Sequence, residues 1–184
     1  MASDRLFGEA YSKEGGTNGA IFPIFLVYII VEADCPKMHF EGQFDTRATE
    51  SDVFALVTDP REVAGCMPGL QKVDVKSPDE FDAMVRVGVS FIRGDFTLHF
   101  RTVEKEPASG AKFAVHGTGL GSAVDMEIAL AMSSGKDGGA SMRWQADAKV
   151  NGKIASLGQR LMEAQAEKII REFFDCFRQK LEGH

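Results

Sequence analysis

The last thirty or so residues set the terms for the rest of the chain. Within 152–181, Ile154, Leu157 and Leu161 recur at three- and four-residue steps, as do Ile170, Phe173, Phe177 and Leu181. Good helix formers lie between them, and there is no proline. This predicts one extended helix over 152–181, roughly 45 Å long at about 1.5 Å per residue. Such a helix cannot bury its apolar face alone. The chain before it must supply a surface, and it reads as strands.

The apolar stripe turns along its length. Its first half centres on Ile154, Leu157 and Leu161, and its second on Phe173 and Phe177. Gln165 and Lys168 fall where the first stripe would have continued. Two readings follow: both side chains snorkel to water from a helix curved over a twisted sheet, or Gln165 offers a polar group to something held beneath the helix.

From Met38 onward the pattern is regular. Phe40, Gly42, Phe44 and Thr46 alternate with polar residues as a half-buried strand. Thr49, with Asp52 three residues later, caps a short helix whose inner face is Val53, Phe54, Leu56 and Val57. Asp59-Pro60 opens a second short helix, because proline suits the first helical position. Strand signals follow over 70–76, and then at Phe81, Ala83, Val85, Val87, Val89 and Phe91. Gly94-Asp95 interrupts before Phe96, Leu98 and Phe100. Phe113 and Val115 come next, then Val124 to Met132 at every second position, and Met142, Trp144, Ala146, Ala148 and Val150. Short connections imply antiparallel pairing with one apolar face. The predicted fold is α+β: a curved antiparallel sheet of about seven strands gripping a long C-terminal helix, with two short helices after the first strand.

The first 37 residues stand apart from this pattern. Residues 1–19 are polar and aperiodic, the composition of a disordered segment. The apolar run 20–31 contains Pro23 and is too short to span a bilayer. Acidic residues before it and the lack of a clear small-x-small site after it argue against a signal peptide. Three readings fit: an extension from an upstream start with Met38 as the true first residue, an extra strand or hydrophobic arm, or a shallow membrane contact. The domain proper is 38–184.

Composition excludes some functions. A net charge of −6 with no basic run argues against nucleic-acid binding. Cys35, Cys66 and Cys176 are odd in number, widely spaced and free of any C-x-x-C, which predicts free thiols in a reducing compartment. His39 and His99 fall on the polar side of strands, and no histidine has metal-ligand spacing. Asp82, Asp125, Glu127 and Asp147 share that face, where solvation is the default. The cluster Gly117-Thr118-Gly119-Leu120-Gly121 lies between strands, so it predicts a bulge or tight bend rather than a phosphate loop. Nothing nominates a catalytic residue.

The apolar face carries more bulk than one helix covers if the sheet is strongly curved. Val85, Val87, Phe96, Leu98, Phe100, Phe113, Val115, Met126, Ile128, Leu130, Met142 and Trp144 would then line a cavity. Phe54, Met67, Leu70, Leu157, Leu161 and Gln165 would close it. The alternative is a core filled by the protein's own side chains, and pattern alone does not choose between them.

Phe40-x-Gly42, Val53-x-x-Leu56-x-x-Asp59-Pro60, Met67-Pro68-Gly69-Leu70, Gly117-x-Gly119, Trp144-x-Ala146 and Gly152-x-Ile154-Ala155-x-Leu157-Gly158-x-Arg160 together resemble the G-subunit family of carbon monoxide dehydrogenase. That family belongs to the helix-grip superfamily of START and Bet v 1-like proteins (SRPBCC). The similarity runs over 38–184. It implies a non-catalytic accessory protein of a molybdenum hydroxylase of the carbon monoxide dehydrogenase type, cytoplasmic and transiently at the inner face of the membrane. It also implies a lipophilic ligand in the cavity, a menaquinone-like quinone or another lipid. Unlike some relatives, the sequence ends at His184 without a proline-rich linker or apolar tail, which predicts soluble or transient delivery. Two other readings stay open: a helix-grip enzyme of cyclase or hydrolase type with polar groups such as Gln165 and Arg143 in the cavity, and a filled-core interaction module that docks through 66–70.

Overall fold

The computed structural model describes residues 37–107, 109–135 and 138–183. The expectations for residues 1–36 lie outside these. Strand β1 (Lys37–Thr46) alternates as its sequence requires. The chain then turns into α1 (Glu50–Thr58), where Thr49 and Asp52 form the expected capping box. Asp59 ends α1 and caps α2 (Pro60–Gly65), its carboxylate accepting from the backbone N–H groups of Arg61 (2.7 Å) and Glu62 (3.3 Å).

Six strands follow: β2 (Leu70–Ser77), β3 (Glu80–Val89), β4 (Ile92–Glu106), β5 (Gly110–Gly119), β6 (Ser122–Ser134) and β7 (Ala140–Gly152). They form one antiparallel, open and curved seven-stranded sheet in the order β1-β7-β6-β5-β4-β3-β2. Both β1 and β2 are therefore edges, and α1 and α2 carry the chain from one edge to the other. That crossing makes the sheet a trough.

Three expectations need correction. The break between β3 and β4 is not at Gly94-Asp95, which lie inside β4. It is a two-residue turn at Ser90 and Phe91, with Val89 opposite Ile92 and Ser90 at positive φ. Phe91 sits at its tip, 83% exposed. Nor does the last helix begin at Gly152. A 3₁₀ turn (Ala155–Leu157) comes first, Gly158 at φ +91° redirects the chain, and α3 runs from Gln159 to Glu182. The burial expected of Ile154, Leu157 and Leu161 therefore fails past the break: Ile154 is buried, Leu157 is half-buried, and Leu161 at the start of α3 faces outward. Finally, Cys66 and Cys176 are not free thiols but are bonded to each other across 110 residues. Their separation hid this; the fold sets the end of α2 against the last turns of α3.

The glycine cluster divides as the strand reading requires. Gly117 and Gly119 belong to β5, while Leu120 and Gly121 form the tight turn to β6, both at positive φ. The hydrophobic core falls into three groups. Phe44, Val53, Val57, Met142 and Phe177 pack at one end, and Met38, Phe96, Val150, Ile154 and Met162 at the other. Phe81, Phe100 and Val115 of the sheet pack against Ala64 of α2. Met67, Leu70, Leu98 and Met126 pack against both of the last two groups.

Candidate ligand cavity

Between the inner face of the sheet and α3 lies a cavity of about 400 Å³, within the range of small-molecule sites. Strand alternation places Val85 and Val87 of β3, Phe96, Leu98 and Phe100 of β4, and Met126, Ile128 and Leu130 of β6 on its floor. Phe40 of β1 and Trp144 of β7 continue that floor to the edge strand. Eight residues of α3 form the roof: Met162, Gln165, Ala166, Ile169, Ile170, Phe173, Phe174 and Phe177. Aromatic rings brace one end, with Trp144 stacked on Phe174 (centroids 5.1 Å apart) and Phe174 on Phe44 (5.9 Å).

The lining is almost wholly apolar, and methionines give it adaptable walls: Met38, Met67, Met126, Met142 and Met162. Its polar residues are Thr58, Asp59, Asp79, Thr102 and Gln165. Most already have protein partners. The Thr58 hydroxyl donates to the Phe54 carbonyl (2.7 Å), the Asp59 carboxylate caps α2, and Asp79 pairs with Lys105 (2.6 Å). The backbone N–H of Thr102 donates to the Asp79 carbonyl at 2.8 Å. The Thr102 hydroxyl, the Trp144 indole N–H and the Gln165 side-chain amide make no hydrogen bond among the described residues. No lysine, arginine or histidine is among the described lining residues.

Of the residues expected from sequence, the cavity gathers Met67, Val85, Val87, Phe96, Leu98, Phe100, Phe113, Met126, Ile128, Leu130, Met142, Trp144 and Gln165. The other five lie off the lining. Val115 is buried beneath α2, Leu70 packs beside it, and Leu157 packs against the group around Ile154. Leu161 turns outward, 40% exposed, and Phe54 is half-buried on α1. Arg143 is exposed on the outer face of β7, away from the cavity. Sequence reasoning missed Phe173, Phe174, Ile169 and Ile170, although their spacing was visible as the second half of the helical stripe. Nothing in the sequence pointed to Pro78 and Asp79, which reach the lining from the β2–β3 turn.

The outer face holds the histidines of the described residues. His39, His99 and His116 each place Nδ1 within 2.6–2.7 Å of an aspartate Oδ1 on the neighbouring strand: Asp147, Asp82 and Asp125. The hydrogen bond to Asp147 raises the His39 pKa above its ordinary value, and the one from His99 holds Asp82 below its own. No group of three or more metal-ligating side chains occurs among the described residues.

The sequence profile of CoxG, the G subunit of carbon monoxide dehydrogenase, matches residues 42–182. The chain belongs to the CoxG family. A search of curated proteins finds no match. Among solved structures, a conserved protein from Geobacillus kaustophilus superposes with a TM-score of 0.73 at 21% identity, covering 79% of this chain and 96% of its own. A START superfamily protein from Mycobacterium smegmatis gives 0.57 at 10%, covering 79% and 97%. The ZhuI aromatase/cyclase from Streptomyces sp. R1128 gives 0.58 at 15%, covering 80% and 94%. At these identities the likeness establishes the fold: this CoxG-family chain is a START-like helix-grip protein. Family and fold together support a ligand-binding accessory role. Among the described residues, no helix is long and apolar enough to cross a membrane.

Proposed function

We propose that this protein is a non-catalytic accessory protein of a carbon monoxide dehydrogenase-type molybdenum hydroxylase. It holds a lipophilic ligand, a quinone or another lipid, between sheet and helix, and works at the cytoplasmic face of the membrane through peripheral contact. The observation that carries this reading is the cavity of about 400 Å³ with its apolar lining. Burial of about ten methylenes at ~0.8 kcal/mol each corresponds to roughly 8 kcal/mol. That is the scale of micromolar binding before ordering costs are subtracted. A chain-like lipophile therefore needs few polar contacts to be held.

The test is extraction of the purified protein with organic solvent followed by mass spectrometry, together with uptake of added quinone. A recovered quinone or lipid, or saturable uptake near one per chain, is expected. Repeated absence of both would overturn the reading.

A further inference from the structure

We infer that the cavity selects neutral lipophiles carrying a carbonyl or hydroxyl, that Gln165 is the residue that recognises this group, and that anionic lipids such as free fatty acids are rejected. This rests on the ligand-binding reading above and narrows it.

Two observations on the lining lead there. Gln165 is the one polar residue among the eight that α3 contributes, with Met162, Ala166, Ile169 and Ile170 around it. Its amide lacks a partner among the described residues, as do the Thr102 hydroxyl and the Trp144 indole N–H on the sheet side. Of these three only the amide sits on the roof and offers both a donor and a strong carbonyl acceptor, whereas the hydroxyl of Thr58 and the carboxylates of Asp59 and Asp79 are engaged. No side-chain nitrogen or oxygen among the described residues is buried without a partner, so the half-buried Gln165 amide keeps access to solvent and can exchange water for a ligand's polar group. Leucine or methionine would continue the apolar face with no polar group to offer a ligand. A primary amide both donates and accepts, so a ketone, quinone or ester carbonyl satisfies its N–H and an alcohol satisfies either end. A hydrogen bond of this kind between neutral groups is worth about three- to tenfold in affinity.

The second observation is charge. The described lining offers no cation, and its two ionisable side chains, Asp59 and Asp79, are acidic. A carboxylate entering this space loses its hydration without gaining a counter-charge. It must bind as the neutral acid, which at pH 8 is a fraction below about one in a thousand for a group titrating near 4.5. Holding a fatty-acid anion in apolar surroundings calls for a cation or a convergent set of donors at the head; here the free donors are neutral and few, the Gln165 amide, the Thr102 hydroxyl and the Trp144 indole N–H.

The experiment uses the full chain and a neutral polarity-sensitive dye, Nile red, as the probe of the cavity. Decane, 2-decanone, 1-decanol and decanoate are titrated as competitors at pH 8. Decanone and decanol should displace the dye at about three- to tenfold lower concentration than decane. Decanoate should be at least about a hundredfold weaker than decanone. In Gln165→Leu the advantage of decanone over decane should shrink to within about twofold while decane still competes. Gln165→Met serves the same purpose should the leucine variant fold poorly. Decanoate competing as well as decanone, or an undiminished ketone preference in both variants, would overturn the inference and leave the cavity reading standing. Failure of any competitor or dye to enter would overturn both.

Discussion

Gly42 and Trp144 face each other across β1 and β7, and a Cβ on Gly42 would lie 2.8 Å from the indole ring. The ring thus lies against the bare backbone of the edge strand and stacks on Phe174 of the roof. The glycine gives the tryptophan room to lie flat. Gly42→Ala must push the indole toward the cavity, because backbone fills the other side. We expect a loss of about 1–3 kcal/mol in stability, as for other overpacked cores, and weaker ligand uptake. Trp144 is the only tryptophan, so its emission should shift in the variant. Unchanged emission and melting would show that the ring has slack.

The Cys66–Cys176 bond ties the end of α2 to α3, beside the Glu62–Lys180 ion pair that joins the same two elements. A link closing so long a loop stabilises by about 2–4 kcal/mol. Cys176→Ala, or reduction with a dithiol, should therefore lower the melting temperature by several degrees. Thiol titration of the oxidised, denatured chain should find Cys35 alone. Three titratable thiols in that state would show the bond absent. In a reducing compartment the same two residues stand as neighbouring thiols, and the reduced protein is then the form whose ligand binding matters.

Much of this fold was legible because each strand writes its inner face at every second residue. Phe96, Leu98 and Phe100 could be assigned to one side without coordinates, and so could Met126, Ile128 and Leu130. Caps at Thr49 and Asp59 were equally readable, since their hydrogen bonds are local. What failed was non-local or depended on a single backbone angle. No spacing rule reveals that Cys66 meets Cys176. A serine at positive φ ends β3 where glycine and aspartate four residues later looked the better turn. The cavity itself lay between two readings, because alternation says which side chains face inward but not how far the sheet bends away from them.

The outer-face pairs predict a pH dependence. His39 is raised chiefly by its hydrogen bond to Asp147, against a smaller opposing effect of desolvation and with further help from the carboxylate charge. The folded protein therefore holds this proton more tightly than the unfolded chain. The resulting stability is complete below the unfolded histidine value, about 6.5, and is lost as pH rises through the folded one. Asp82, lowered first by its hydrogen bond with His99, runs the other way. Its contribution is present above the unfolded carboxylate value and disappears as pH falls through the folded one. Urea melts between about pH 5.5 and 8.5 should show stability declining on the alkaline side, and His39→Ala should flatten that decline. Superimposable profiles for the two proteins would count against the pairing.

Ser122 makes the hydrogen bond on which the entry to α3 depends. Its side chain is the one buried polar group at the start of β6, and its hydroxyl accepts from the backbone N–H of Ile154 at 2.9 Å. Ile154 follows β7, lines the cavity and precedes the 3₁₀ turn. One hydroxyl thereby pins the segment that sets where the roof begins. Ser122→Ala leaves that N–H buried without its acceptor, which costs about 1–3 kcal/mol. The change removes a single oxygen and adds no bulk, so the sheet should survive and the effect should be local. We expect the Ile154 amide to exchange with deuterium about tenfold faster or more, and dye uptake to weaken as Met162 at the start of α3 loosens over Val150. If stability falls while exchange at Ile154 is unchanged, the serine acts within β6 alone and the roof is anchored elsewhere.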